Sequence, residues 1–190
     1  MFAIRFQNKT LSIDHPALMG ILNVTPDSFS DGGRYNQMDK ALQHCEQMIA
    51  DGADFIDIGG CSTRPNNAIA TEKEEMERVI PILKAIKKAF PEALISIDTF
   101  RKNVAEACIN EGADLINDIS GGLFDAEMLP YIGQNHIPYV MMHCIGTPET
   151  MHQYALDGDI HQTVMDFFAQ QCKTLISRSE ERRVGKECRS

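Results

Sequence analysis

Residues 17–33 read A-L-M-G-I-L-N-V-T-P-D-S-F-S-D-G-G. A short apolar run over 17–22 stops at Asn23, and a long polar loop comes next. The run is continuous, apolar and too short for a helix, so it reads as a buried strand. The loop after it decides between two architectures. A dinucleotide-binding sheet carries G-x-G-x-x-G directly after its first strand. Here the strand is followed by Asn23-Val24-Thr25-Pro26-Asp27, without those glycines.

Working outward, the same grammar repeats. Upstream, Phe2, Ile4 and Phe6 alternate with other residues, and Leu11 and Ile13 come after Gln7-Asn8-Lys9, which predicts a small hairpin ahead of the main fold. Downstream, 40–50 places Leu42, Cys45, Met48 and Ile49 on one helical face, with Gly52 as the stop. A strand over 55–58 runs into Gly59-Gly60. Thr71 and Glu74 make a capping box, and Met76, Val79, Ile80, Leu83 and Ile86 form the buried stripe behind it. Pro81 inside that stripe predicts a kink. Strands over 94–97, 115–116 and 138–142 end at Asp98, Asn117 and His143. The helices between and after them carry Val104, Ala105 and Cys108, then 126–132, then Ile160, Val164, Phe167, Phe168 and Leu175. Gly52-Ala53-Asp54-Phe55-Ile56 is echoed by Gly112-Ala113-Asp114-Leu115-Ile116, each at a helix-to-strand corner.

Short apolar strands alternating with amphipathic helices give a parallel sheet covered by helices, an α/β fold. The strands end in polar residues (Asn23, Asp98, Asn117, His143), as around the catalytic mouth of a (β/α)8 barrel. The expectation is therefore a TIM-type barrel with an N-terminal β-hairpin. It stops after about the fifth β-α unit, because such barrels take about 250 residues and this chain has 190.

Composition narrows the function classes. Apolar residues make up 43%, as in a globular protein. A net charge of -9 and a pI near 5.1 argue against a nucleic-acid or anionic-membrane surface and fit a cytosolic enzyme. No apolar run approaches the ~20 residues of a membrane span, and the start MFAIRFQNKT does not resemble a signal peptide. Six cysteines without a C-x-x-C pair read as reduced thiols, and six histidines lack the spacing of a metal site.

The loops after the first two strands, 23–33 and 59–65, are too long for ordinary βα connections of about 2–6 residues and read as binding loops on one mouth. M-G-I-L-N-V-T-P-D-S-F-S-D-G-G (19–33) and G-A-D-F-I-D-I-G-G-C-S-T-R-P (52–65) resemble the first two signatures of the dihydropteroate synthases. Ser96-Ile97-Asp98-Thr99, Ile116-Asn117-Asp118-Ile119 and Met141-Met142-His143 are similar to that family's next three strand ends, and the likeness runs to about Ile176.

The resemblance implies a transferase of folate biosynthesis, a sulfonamide target, in which the amine of p-aminobenzoate attacks 6-hydroxymethyl-7,8-dihydropterin diphosphate. It assigns the pterin edge to Asp98 and Asn117 and the pterin face to Met141. Mg2+ falls to Asn23, and electrostatic stabilisation of the reacting methylene to Asp27 and Asp31. The p-aminobenzoate pocket falls to Thr63, Arg64 and Pro65, with Thr63 alternatively on the diphosphate. Asp98 read without the family is a helix N-cap, a role Thr99 can also fill, and Arg64 is a surface ion pair. Two positions depart from the pattern: Cys61 stands where the family has Glu, and Asn66 where it has Gly. His143 lines the mouth without an assigned role. The implied partners are small molecules, with neither nucleic acid nor membrane, and the complete enzyme is open to a homodimer.

The organisation expected is a partial pterin-binding domain over 1–176 and a foreign tail over 177–190. The tail holds five basic and three acidic residues, against an acidic body. The family's D-P-G-x-G-F, S-R-K and R-x-H segments have no counterpart here, so the fragment is expected to be inactive. Two rivals are another pterin-binding barrel, such as a methyltetrahydrofolate methyltransferase, which lacks the N-V-T-P-D-S-F-S-D loop, and a non-catalytic fragment.

Overall fold

The computed structural model describes residues 2–6, 10–25, 34–61, 69–147, 150 and 158–187, with backbone alone for 2, 34–36 and 178–187. β1 (Phe2–Arg5) and β2 (Thr10–Ile13) pair antiparallel with Phe2 opposite Ile13, the hairpin expected from the alternation. Five β-α units come after it. They are β3 (Met19–Asn23) with α1 (Arg34–Ala50), β4 (Phe55–Gly59) with α2 (Glu72–Ala89), and β5 (Leu94–Asp98) with α3 (Lys102–Asn110). β6 (Leu115–Asp118) with α4 (Met128–Asn135) and β7 (Tyr139–Met141) with α5 (Ile160–Glu187) complete them. The strands form one parallel sheet in chain order, β3-β4-β5-β6-β7. A consecutive parallel order with helical crossovers is that of a partial (β/α)8 barrel.

Register sorts the side chains by face, because paired residues of parallel neighbours point the same way and alternate along each strand. Leu22, Ile58, Ile97 and Ile116 lie on the helix-covered face and are at most 1% exposed. Val79, Leu83 and Ile86 of α2, Ala41 and Cys45 of α1, and Val104, Ala105 and Cys108 of α3 pack against them. The opposite, concave face is layered. Met19, Phe55 and Leu94 share the lowest rung, and with Leu115 they meet Ile4, Phe6 and Leu11 of the hairpin. The rings of Phe6 and Phe55 are 6.2 Å apart. The hairpin thus closes the bottom of the sheet with apolar contacts.

The echoed corners use one device twice. Gly52 (φ 96°) and Gly112 (φ 97°) end α1 and α3 in the left-handed conformation that glycine adopts without strain. The following Asp then ties the corner to the preceding strand region. Asp54 Oδ2 accepts from Leu18 N at 2.8 Å, and Asp114 Oδ2 accepts from Ile95 N at 2.9 Å and Lys87 Nζ at 2.5 Å.

α2 opens with the expected capping box: Thr71 accepts from Glu74 N and Glu74 accepts from Thr71 N. The helix continues through Pro81. α5 continues beyond Ile176 as backbone helix to Glu187, so no change of secondary structure marks residue 177. Among the described residues no helix is long and apolar enough to cross a membrane.

Candidate functional site: the C-terminal mouth of the sheet

The top rung of the concave face runs Asn23, Gly59, Asp98, Asn117, Val140 across all five strands. Three of the residues singled out from the sequence, Asn23, Asp98 and Asn117, therefore share one side of the sheet at its carboxyl end, where barrels place their chemistry. One rung down stand Ile21, Asp57, Ser96 and Leu115.

Gly59-Gly60 does two separate jobs. A Cβ on Gly59 would lie 3.2 Å from Asn23 Oδ1 and 3.4 Å from Asp98 Oδ2, so its absence keeps the space between those side chains open. A Cβ on Gly60 would lie 2.5 Å from Val79 Cγ2, so its absence lets α2 seat against the strand end. Arg78 Nη1 then donates to Gly60 O at 2.9 Å.

Asp57, only 5% exposed, is the residue that the strand pattern did not disclose. It stands two positions before Gly59, so period-two alternation puts it beneath the mouth. Its Oδ2 accepts from Asn117 Nδ2 at 2.9 Å, a bond that spans β5 from β4 to β6. Burial raises the Asp57 pKa, opposed by the hydrogen bonds of Ser96 and Asn117. Neither Asp57 Oδ1 nor Ser96 Oγ makes a hydrogen bond of full geometry, although the Ser96 hydroxyl is near enough to lower that pKa.

Asp98 is pushed up to about 7, first by burial and then by the charges of Asp57, Glu75 and Asp118. The mouth is thus an acidic cluster poised to lose a proton near neutrality, a feature typical of functional sites. Asp98 does not cap α3. Thr99 Oγ1 accepts from Arg101 N at 3.2 Å, and Asp125 Oδ2 accepts from Lys102 N at 2.8 Å.

Behind the mouth lies an ion pair that the sequence did not announce. Glu75 of α2 is fully buried and accepts from Arg101 Nη1, while Arg101 Nη2 donates to Ala70 O at 2.5 Å. Burial raises the Glu75 pKa, and Thr99 and Arg101 oppose that rise. Glu75 falls in phase with Val79, Ile82 and Ile86 at helical spacing, which is the signal that would have found it. Cys61, at the departure from the family pattern, is buried beside this pair. Burial raises its thiol pKa, and contact with Ala70 and Arg101 lowers it.

Asp118, also undisclosed by the pattern, is wholly buried and folds the loop after β6. It accepts from Ser120 N at 2.7 Å, Gly122 N at 2.9 Å and Tyr139 Oη at 2.6 Å. Met141 shares a rung with Asp118, on the opposite side of the sheet from Asn117. Its Cγ lies 3.0 Å from where Gly121 would carry a Cβ, against the β6–α4 loop; the β7 residue in the Asn117 rung is Val140. His143 packs edge-on against Phe167 of α5, with centroids 4.9 Å apart. Asp27, Asp31, Thr63, Arg64, Pro65 and Asn66 lie outside the described residues.

Among the described residues no group of three or more His, Cys, Asp or Glu could hold a metal ion. Asn23 offers one exposed carboxamide oxygen at the mouth. That donor suits a hard cation that takes its remaining ligands from water and a bound phosphate.

The chain is similar to known proteins in sequence and in fold. A profile of pterin-binding enzymes matches residues 19–179. The dihydropteroate synthase of Streptococcus pyogenes is 45% identical over 160 residues, 84% of this chain and 57% of its own length. The crystal structure of the Yersinia pestis dihydropteroate synthase with a sulfonamide drug complex superposes with a TM-score of 0.83 at 37% identity, over 93% of this chain and 64% of that one. The Burkholderia cenocepacia dihydropteroate synthase complexed with 7,8-dihydropteroate gives 0.77 at 36% identity, over 93% and 59%. The chain thus spans 57–64% of the length of the first two relatives.

Proposed function

The chain belongs to the pterin-binding enzyme family, and on that premise we propose that it supplies the pterin-recognising side of a dihydropteroate synthase. The reaction joins the p-aminobenzoate nitrogen to the methylene carbon of 6-hydroxymethyl-7,8-dihydropterin diphosphate. The carbon–oxygen bond to diphosphate breaks, diphosphate leaves with the bonding pair, and the amine loses a proton. The observation that carries this reading is the single rung of Asn23, Asp98 and Asn117 over a buried Asp57.

A pterin presents a flat amino-pyrimidinone edge of donors and acceptors. Asp98 accepts from its N–H groups, and Asn117 offers one acceptor and one donor branch. Asn23 Oδ1 would hold magnesium, which would supply charge neutralisation for the leaving diphosphate. To Asp27 and Asp31 the reading gives electrostatic stabilisation of the cationic methylene, and to Thr63, Arg64 and Pro65 the recognition of p-aminobenzoate. Met141 belongs to the wall beside Gly121 rather than to the Asp98 rung. The complete enzyme is cytoplasmic, binds neither nucleic acid nor membrane, and is open to pairing as a homodimer.

The 190-residue chain alone should form no dihydropteroate, because among the described residues β3 and β7 are the sheet's two edges, each without a strand partner on its outer side. Robust turnover by it would overturn that expectation. Calorimetric titration of pterin diphosphate tests the site. It is best done in a chimera that continues residue 176 with the remaining segment of the Streptococcus pyogenes relative. Asp98→Asn should weaken binding by at least about tenfold, the loss of a charge-assisted acceptor worth roughly 1.5–3 kcal/mol, while Asp14→Asn on the exposed hairpin side leaves it unchanged. Equal affinities for wild type and Asp98→Asn refute the assignment.

A further inference from the structure

We infer that Asp57 is a positioning residue that sets the polarity of Asn117, so that the mouth reads an amino–imine edge and rejects the reversed oxo–N–H edge. This rests on the proposed reading of the mouth as a pterin site and names what makes it selective.

A carboxamide has an acceptor branch and a donor branch of nearly the same shape, and on its own it can turn either way. Asn117 is not on its own. Its Nδ2 donates to Asp57 Oδ2 at 2.9 Å, and Asp57 is buried. A carboxylate only accepts, so the branch turned toward it must be the NH2. Turning the amide over would set Oδ1 against a buried carboxylate oxygen, with the hydrogen bond lost and two acceptors opposed. Asp57 shares its rung with a fully buried neighbour on β5, Ser96, whose hydroxyl favours the ionised carboxylate. The bond crosses β5 between the two outer strands of a three-strand block, so the amide is tied to a rigid part of the sheet.

With one Nδ2 hydrogen engaged, Asn117 keeps Oδ1 and the second Nδ2 hydrogen in a fixed order. That pair is complementary to the 2-amino group and adjacent ring nitrogen of a pterin: Oδ1 takes an amino hydrogen and Nδ2 gives one to N1. A lumazine, with oxygen at C2 and hydrogen on N1, presents the reverse order. Binding it would require the amide to turn. Asn at position 57 can donate or accept, and so permits both orientations.

Two measurements on the chain decide this. In 15N-labelled chain at pH 8, without ligand, the Asn117 side-chain NH2 (identified by its absence in Asn117→Ser) should show one hydrogen protected from exchange at least about tenfold over exposed amides. Asp57→Asn should abolish that protection. An unprotected Asn117 amide in the wild type overturns the lock, whether or not a variant folds. Titration with 6-hydroxymethylpterin and 6-hydroxymethyllumazine should show wild type favouring the pterin, and Asp57→Asn reducing that preference by roughly tenfold, the value of one to two directed hydrogen bonds. Equal weakening of both ligands with the preference intact makes Asp57 merely structural and overturns the inference. Failure of wild type to bind either ligand would sink the reading of the mouth as a pterin site, while the exchange measurement still decides the lock.

Discussion

On the helix-covered face of the sheet, Leu22, Ile58, Ile97 and Ile116 are sealed from solvent; one residue along each strand, the concave face offers Asn23, Gly59, Asp98 and Asn117. The same strands serve both faces, so alternation alone separates stability from chemistry. Within the concave face there is a second gradient. Its lowest rung is apolar and closed by the hairpin, and polar and acidic side chains begin with Asp57 and Ser96 one rung higher. Ile21 shares that rung yet is 63% exposed, because the sheet is open beside β3. A polar interior can be carried by a sheet whose other face does the folding.

The strongest way to break this division is to truncate an isoleucine on each side of it. Ile97→Ala removes a fully buried side chain from the helix-covered face and should cost about 2–5 kcal/mol. Ile21→Ala on the concave face should change stability by no more than about 0.5 kcal/mol. Urea unfolding of the two variants checks the pair. Comparable losses would mean that the concave face contributes to the core as much as the other.

Much of this was legible in the sequence, and the failures have physical causes. The strands and their order come from short apolar runs bounded by turn residues, and the hairpin from alternation. Asp57 was hidden because Phe55, Ile56 and Ile58 around it made the strand look apolar throughout. α1 begins at Arg34 rather than near Lys40, and Met38, one turn before Leu42 and packed against the core, carries its stripe back toward that start. α4 spans Met128–Asn135 rather than 126–132: Asp125 Oδ1 accepts from Glu127 N at 3.0 Å, holding the preceding residues as a turn, and His136 ends it at φ 53°. α5 outruns its stripe because a charged helix needs propensity rather than burial. Of the site, the rung of Asn23, Asp98 and Asn117 was visible as polar strand ends. Glu75 was not, since a buried carboxylate is read from sequence only by its phase in the helix.

A smaller but more diagnostic effect concerns pH. Asp98 sits at about 7 in the fold against an ordinary value of 3.8, raised chiefly by burial. The folded state therefore holds its proton more tightly than the unfolded state. The stabilising contribution is full below the ordinary value, and it is lost as pH rises through about 7. Between pH 4 and pH 8 the loss has a ceiling of about 4 kcal/mol. Asp98→Asn should flatten that decline and make the chain more stable than wild type at pH 8, while weakening pterin binding. Thermal melts across pH measure the first, titration the second. If the variant shows the wild-type pH slope, the acidity of the mouth is not what destabilises it.

The adjacent glycines sharpen the comparison to a single peptide. Gly59 and Gly60 are neighbours in sequence and face opposite ways, Gly59 into the gap between Asn23 and Asp98, Gly60 onto α2. Alanine at 60 drives its Cβ to 2.5 Å from Val79 Cγ2 and 3.2 Å from the Glu75 backbone oxygen. A buried helix backbone gives way poorly, so overpacking should cost about 1–3 kcal/mol. Alanine at 59 meets Asn23 Oδ1 at 3.2 Å, Asp98 Oδ2 at 3.4 Å and Asp98 Cβ at an ordinary 3.7 Å, and Asn23 is exposed and can swing aside. Its stability cost should be under about 1 kcal/mol. Yet that swing moves Asn23 Oδ1 off the position it holds beside Asp98, and the methyl fills space a ligand would use. Gly59→Ala should therefore lower affinity for pterin diphosphate with magnesium by about tenfold, a change of ~1.4 kcal/mol, at nearly wild-type stability. Gly60→Ala should do the reverse. Denaturant unfolding and calorimetry on both variants make a two-by-two comparison. If the two glycines affect stability and binding in the same proportion, the faces are not separable at the strand end, and the mouth is held together by the same packing that holds α2.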